Sequence, residues 1–174
     1  RAGGHHQPPA RYVNQRFPRT ILCAALSTAA IAPGAFARDI VVSVGASTTS
    51  THDYATPAAF VDGHGQSRRI GRFTWQPVAS LGWIDGRDHV RLANDVFVLG
   101  AGVRLVDWWR RAFAGFQLGY AHDTNDALSS HGQFISSVGW QGERVVWTLR
   151  HISNGKVFPG RNLGETMLLA GVRF

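Results

Sequence analysis

ERVVWTLRHIS, residues 143–153, alternates along its length: Val145, Trp147 and Leu149 fall on one side of an extended chain, and Arg144, Thr148 and Arg150 on the other. Successive side chains of a β-strand point to opposite faces, so the segment is predicted to be a strand with one oily and one polar face. His151 and Ser153 continue the oily parity. A histidine and a serine are unexpected on such a face, and what that face looks out on decides both the fold and the chemistry.

Outward from this stretch the two-residue alternation recurs. DIVVSVGAS sets Ile40, Val42, Val44 and Ala46 on one face, and RRAFAGFQLGYAH sets Ala112, Ala114, Phe116, Leu118 and Tyr120 opposite Arg111, Gln117 and glycines. SHGQFISSVGWQ puts Phe134, Val138 and Trp140 opposite His131, Gln133, Ser137 and Gln141, and ETMLLAGVRF closes the chain on Phe174 with looser alternation. THDYATP, VDGHGQS, DGRD, HDTNDALSS and NGKVFPGRN read as turns. About eight segments of roughly 9 to 12 residues result, near 39–48, 67–77, 79–85, 89–98, 99–107, 111–122, 131–141, 143–153 and 164–174, the stretch 79–107 allowing two divisions. Helical periodicity is weak throughout.

A soluble sandwich and a membrane barrel both alternate, and the chemistry of the faces separates them. A sandwich buries its apolar face, whereas a small outer-membrane barrel turns it to lipid and encloses polar residues and arginines. Arg111, Gln117, Gln133, Arg144, Thr148 and Arg150, with many Gly and Ser, suit a narrow lumen. Trp75, Trp83, Trp108, Trp109, Tyr120, Trp140 and Trp147 sit near strand ends or on apolar faces, as in interfacial girdles, with ordinary core packing as the alternative. A C-terminal aromatic on an amphipathic strand also resembles the targeting signature of Gram-negative outer-membrane barrels. The expected fold class is all-β, an eight-stranded antiparallel up-and-down transmembrane β-barrel.

The N-terminal part sets the compartment. Arg16 and Arg19 precede TILCAALSTAAIAPGAFA, an apolar run of about thirteen residues that closes on small residues, the pattern of a secretory signal peptide. A buried helix or membrane anchor is the alternative, but the run is shorter than the roughly 20 residues that span a bilayer. The expected organisation is a disordered extension over 1–15, a signal peptide over 16–37 and a barrel over 38–174. Cleavage after Ala37 removes Cys23, the sole cysteine, and four arginines with no acids, so the net charge of +7 falls to +3. An exported chain with dispersed arginines is not expected to bind nucleic acid; anionic lipid is the fitting polyanion.

On the lipid-facing side of a strand a polar pair costs free energy unless it is used. Residues i and i+2 stand about 7 Å apart along one face, within reach for an imidazole and a hydroxyl. Histidine takes and returns a proton near neutral pH, and a serine hydroxyl needs such a base to attack an ester. Spacing alone leaves a turn-flanking His and Ser as the blander reading. With both termini periplasmic, the penultimate strand runs outward and Asn154–Asn162 becomes an extracellular loop, level with the outer leaflet.

The run HISNGKVFPGRNLGE, with a weaker match at RFTWQP (Arg72–Pro77), resembles the signature of the PagL-like lipid A 3-O-deacylase family. The resemblance implies an eight-stranded barrel that hydrolyses the ester-linked acyl chain at the 3 position of lipid A. It implies Ser153 as nucleophile, His151 as base and Glu165 as the acid that orients the imidazole, with Asn154 and, shifted by about one residue, Asn162 shaping the oxyanion site and positioning substrate; backbone N–H groups near Ser153, Asn154 and Gly155 are the candidate donors to the oxyanion. Strict alternation back from an outward Phe174 turns Glu165 inward, so its role requires a bulge, for which Gly164 is the candidate cause. Lys156 and Arg161 are candidate contacts to lipid A phosphates, or else solvated loop charges.

The expected partners are lipopolysaccharide as substrate and outer-membrane lipid, with a homodimer as an open alternative to a monomer. No cofactor and no metal is expected, because His52, His64, His89, His122 and His131 show no ligand spacing. The rival readings are a structural or adhesive small barrel, another outer-membrane lipid esterase or acyltransferase, and a soluble secreted esterase.

Overall fold

The computed structural model describes residues 39–50, 55–157 and 161–174. The extension and signal peptide expected over 1–37 lie outside these residues. The strands are β1 (Asp39–Thr48), β2 (Thr56–His64), β3 (Arg68–Ile70), β4 (Phe73–Ile84), β5 (Val96–Val106), β6 (Ala112–His122), β7 (Gly132–Gln141), β8 (Val145–Ser153) and β9 (Glu165–Arg173). Every pairing is antiparallel between neighbours, and β9 returns to pair with β1, which closes the sheet into a barrel. No helix interrupts it among the described residues.

Nine segments make eight staves because β3 continues β2 along the same partner, β4. Between the pairs His64↔Val78 and Arg68↔Trp75, one side advances four residues (68 − 64) and the other three (78 − 75), a one-residue bulge. It falls beside Pro77, which has no N–H for the ladder but still accepts a bond from the Gly65 N–H at 2.9 Å. Gln76 Nε2 bonds the Gly65 carbonyl at 2.9 Å and fastens the bulged segment inward.

The register fixes the width of the barrel. The partners run Asp39, His64, Val78, Gly102, Gln117, Ile135, Ile152, Glu165, and Glu165 lies one step beyond the pair Thr166↔Thr48, level with position 49, just past the end of β1. One circuit therefore climbs ten residues (49 − 39), and eight staves with such a stagger enclose only enough room for side chains.

Those side chains form layers. Phe60, Ile84, Val98, Ile135, Ile152 and Leu169, all almost fully buried, make an apolar layer towards the end where β1 finishes. Each contributes about 1.5–3 kcal/mol by leaving water. Below it along the same strands lie Asp62, His64, Arg104, Gln117, Ser137, Thr148 and Arg150, all buried, and below these Val41, Val106, Phe113 and Val146 form a second apolar layer. Arg150 pairs with Asp62 at 2.9 Å, and Asp62 also accepts from Ser80. The outer face is the reverse: Val44, Leu99, Val103, Leu118, Val138, Trp147, Leu149 and Leu168 are exposed.

Four placements differ from expectation. Thr56, Pro57 and Val61–His64, read as parts of the turns THDYATP and VDGHGQS, lie in β2, because Asp62 and His64 face the lumen where Arg150 and the polar layer accommodate them. Arg111 and Arg144, expected inside, lie exposed in the turns at 107–111 and 142–144. The stretches 67–77 and 79–85 merge into the β3–β4 hairpin, and 99–107 belongs to a single β5 from Val96 to Val106. The connections also divide by end: 71–72, 107–111 and 142–144 are short, whereas 49–55, 85–95, 123–131 and 154–164 are longer and share the other end.

Candidate active site

His151 lies on the outer face of β8 in the same parity as Leu149, two residues beyond the apolar rung of Val138, Leu149 and Leu168, at the long-loop end. Its cross-strand partners are Ser136 on β7 and Thr166 on β9, and Thr166 in turn pairs with Thr48 on β1. Ser136, His151, Thr166 and Thr48 are all exposed, so a polar row crosses four strands of an otherwise apolar outer wall. His151 Nδ1 and Thr166 Oγ1 share a hydrogen bond of 2.9 Å, and Thr48 Oγ1 donates to the Thr166 carbonyl at 3.4 Å.

Ser153 follows on the same parity, half-buried at the end of β8 and paired with Phe134. The register Ile152↔Glu165, carried one step further, sets Ser153 level with Gly164. The open edge of the imidazole leans that way: a Cβ on Gly164 would stand 2.8 Å from His151 Cε1 and 3.3 Å from Nε2. Glycine is therefore required at 164 twice over, by this contact and by a φ of +70°. The Gly164 N–H is anchored to the Ala127 carbonyl at 3.0 Å, which holds this wall of the site to the 123–131 loop.

After Ser153 the chain turns at once. Gly155 and Lys156 both have φ of 61° and the Val157 N–H bonds the Asn154 carbonyl at 3.1 Å, the geometry of a type I′ turn. Asn154, fully buried, organises it: its Nδ2 donates to Ser130 Oγ at 3.1 Å, and its Oδ1 accepts the Lys156 N–H at 2.9 Å. The Asn154 N–H donates to Asn162 Oδ1 at 3.3 Å, so the two asparagines clasp the ends of the loop. Of the donors expected to face an oxyanion, the Asn154 N–H is thus occupied, and the Gly155 N–H is left without an acceptor among the described residues.

Glu165 goes elsewhere. The β8–β9 register is regular, without the bulge its orienting role requires, and Glu165 points into the lumen, 1% exposed. There it accepts two bonds from Arg87, Nη1 to Oε1 at 2.7 Å and Nη2 to Oε2 at 2.8 Å, and one from Ser47 Oγ at 2.5 Å. Arg87 comes from the 85–95 loop, folds into the barrel mouth and also donates to the Ser47 carbonyl at 3.1 Å. Glu165 makes no hydrogen bond or ion pair with His151; the group on the imidazole is Thr166. That neighbour was within reach of sequence reasoning, since any parity that turns Glu165 inward turns Thr166 outward.

Lys156 is exposed on the turn, and Arg161, also exposed, lies 3.9 Å from Asp126 Oδ2, which Arg91 approaches at the same distance. No group of three metal-ligating side chains occurs among the described residues. The chain matches no protein-family model, no curated protein and no solved structure.

Proposed function

We propose that the chain is an outer-membrane lipid A 3-O-deacylase, a serine-dependent ester hydrolase in which Ser153 is the nucleophile and His151 its base. The observation that carries this reading is the outward imidazole, held by Thr166 at one nitrogen, with its other edge beside Gly164, which the register sets level with Ser153. The wall around it supports a lipid environment, since an apolar exterior of this extent marks a membrane or partner surface. Short turns at one end and longer loops at the other are the habit of outer-membrane barrels.

In the proposed reaction His151 Nδ1–H donates to Thr166 Oγ1, which leaves Nε2 as acceptor for the Ser153 hydroxyl proton. Ser153 Oγ attacks the ester carbonyl carbon, and the Gly155 N–H receives the oxyanion. Collapse breaks the bond to the glycolipid oxygen, which takes the proton from His151. Water then repeats the sequence on the acyl-serine, giving up its proton to Nε2 and releasing the fatty acid. A neutral threonine hydroxyl fixes the tautomer as a carboxylate would, but stabilises the imidazolium less, so a modest turnover is expected.

The test is mass spectrometry of lipid A from cells that express the chain or its Ser153→Ala variant. Loss of one hydroxyacyl group with the former and none with the latter supports the reading. An identical lipid A in both, with the barrel folded, sinks it and leaves the second reading, a structural barrel. That second reading draws on the engagement of Glu165 by Arg87.

A further inference from the structure

The middle of the lumen holds a cluster that the proposed hydrolysis does not use. Arg104 Nη2, Arg150 Nη1, His64 Nδ1 and Gln117 Oε1 are buried and have no hydrogen-bond partner among the described residues. All four residues are at least 96% buried and line one cavity, which offers about 20 Å³ to the centre of a water-sized sphere. One such sphere needs roughly 10–15 Å³. The apolar layer around Phe60 and Ile135 lies on one side of it, and Val41, Phe113 and Val146 of the other apolar layer form part of its lining.

The charges in this layer do not balance. Arg104 and Arg150 face a single carboxylate, Asp62, which is already bound by Arg150 through both oxygens and by Ser80. Arg104 has no carboxylate within ion-pair distance; its Nε donates to neutral Gln76 Oε1 at 2.8 Å and its guanidinium lies 5.3 Å from the Phe113 ring. At the nearby mouth Asp39 is taken by Arg173 at 3.4 Å, and Asp107 is exposed. A buried cation without a counter-charge is costly, and unpaired buried donors add to the cost.

We infer that this cavity is a binding site for one small monovalent inorganic anion of halide size, held by Arg104 Nη2, Arg150 Nη1 and the Nδ1–H tautomer of His64. A water molecule would satisfy these donors without supplying the missing charge. The site is separate from His151 and Ser153, and its test does not depend on hydrolysis.

The full barrel is refolded in detergent in sodium chloride, sodium bromide or sodium gluconate at one ionic strength, and its melting is followed by heat-modifiable gel mobility. Chloride and bromide are expected to raise the melting temperature in step with the logarithm of their concentration above the dissociation constant, with a roughly 100-fold shift of the folding equilibrium at about 100 times that constant. Gluconate, too large for the cavity, is expected to do nothing. The R104Q barrel is expected to lose the halide dependence. Should R104Q not fold, crystals of the unmodified barrel grown in bromide decide instead, by anomalous density beside Arg104 and Arg150. Equal melting in all three salts, or no bromide at that place, overturns the proposal in favour of water.

Discussion

The two faces of the β8–β9 hairpin carry the same kinds of residue to opposite ends. Outward, His151 meets Thr166 across one rung; inward, Ile152 meets Glu165 across the next. The outward pair is exposed and lightly bonded, with one hydrogen bond on the imidazole. The inward carboxylate is saturated by Arg87 and Ser47 and nearly sealed from solvent. A single step in parity thus separates an exposed imidazole with one hydrogen bond from a carboxylate committed to holding a loop in the barrel mouth. Buried ion pairs of this kind are structural because removal of either partner strands a charge in low dielectric.

Substitutions on the two faces should therefore fail in different ways. The largest effect is expected outside: Ser153→Ala should lower lipid A deacylation on the order of 10³-fold or more with unchanged melting, and His151→Gln by about 10²–10⁴-fold, both measured as released hydroxyacyl chains. Inside, Glu165→Gln should destabilise the barrel by about 3–5 kcal/mol, read by heat-modifiable mobility, while the folded fraction keeps most of its activity. A Glu165→Gln barrel that melts normally yet hydrolyses nothing would reverse the comparison and restore the carboxylate to the imidazole.

Smaller changes sharpen the outward face. Gly164→Ala should cost about tenfold in rate, because its methyl meets His151 Cε1 at 2.8 Å and its φ of +70° strains any side chain. Thr166→Val, which removes the hydroxyl with little change of shape, should cost roughly fivefold, equivalent to about 1 kcal/mol for one hydrogen bond, and Thr166→Ser should recover it. Equal rates for threonine and valine at 166 would mean that the imidazole needs no orienting partner.

Much of the barrel was legible in the chain because its alternation is local. β1, β6, β7, β8 and β9 fall close to the segments read from period two, and His151 sits on the expected outward side. β2 was not legible, since Asp62, Gly63 and His64 spell a turn when read alone. Asp62 is admissible in a strand only because Arg150, 88 residues later in the chain, meets it across the lumen. Arg87 was missed for the same reason: within DGRD it resembles any loop cation, and only the closed barrel delivers it to Glu165.

The sequence by itself determined which faces are oily and which polar, the parity that turns His151 outward, and the incompatibility of an outward Phe174 with an outward Glu165. Those follow from the two-residue repeat of an extended chain, which needs no knowledge of neighbours. Only the tertiary structure decided who stands beside whom: Thr166 on His151, Arg87 on Glu165, and an uncompensated Arg104 in mid-lumen. Cross-strand partners depend on register and closure, and those are set by the whole circuit of the barrel at once.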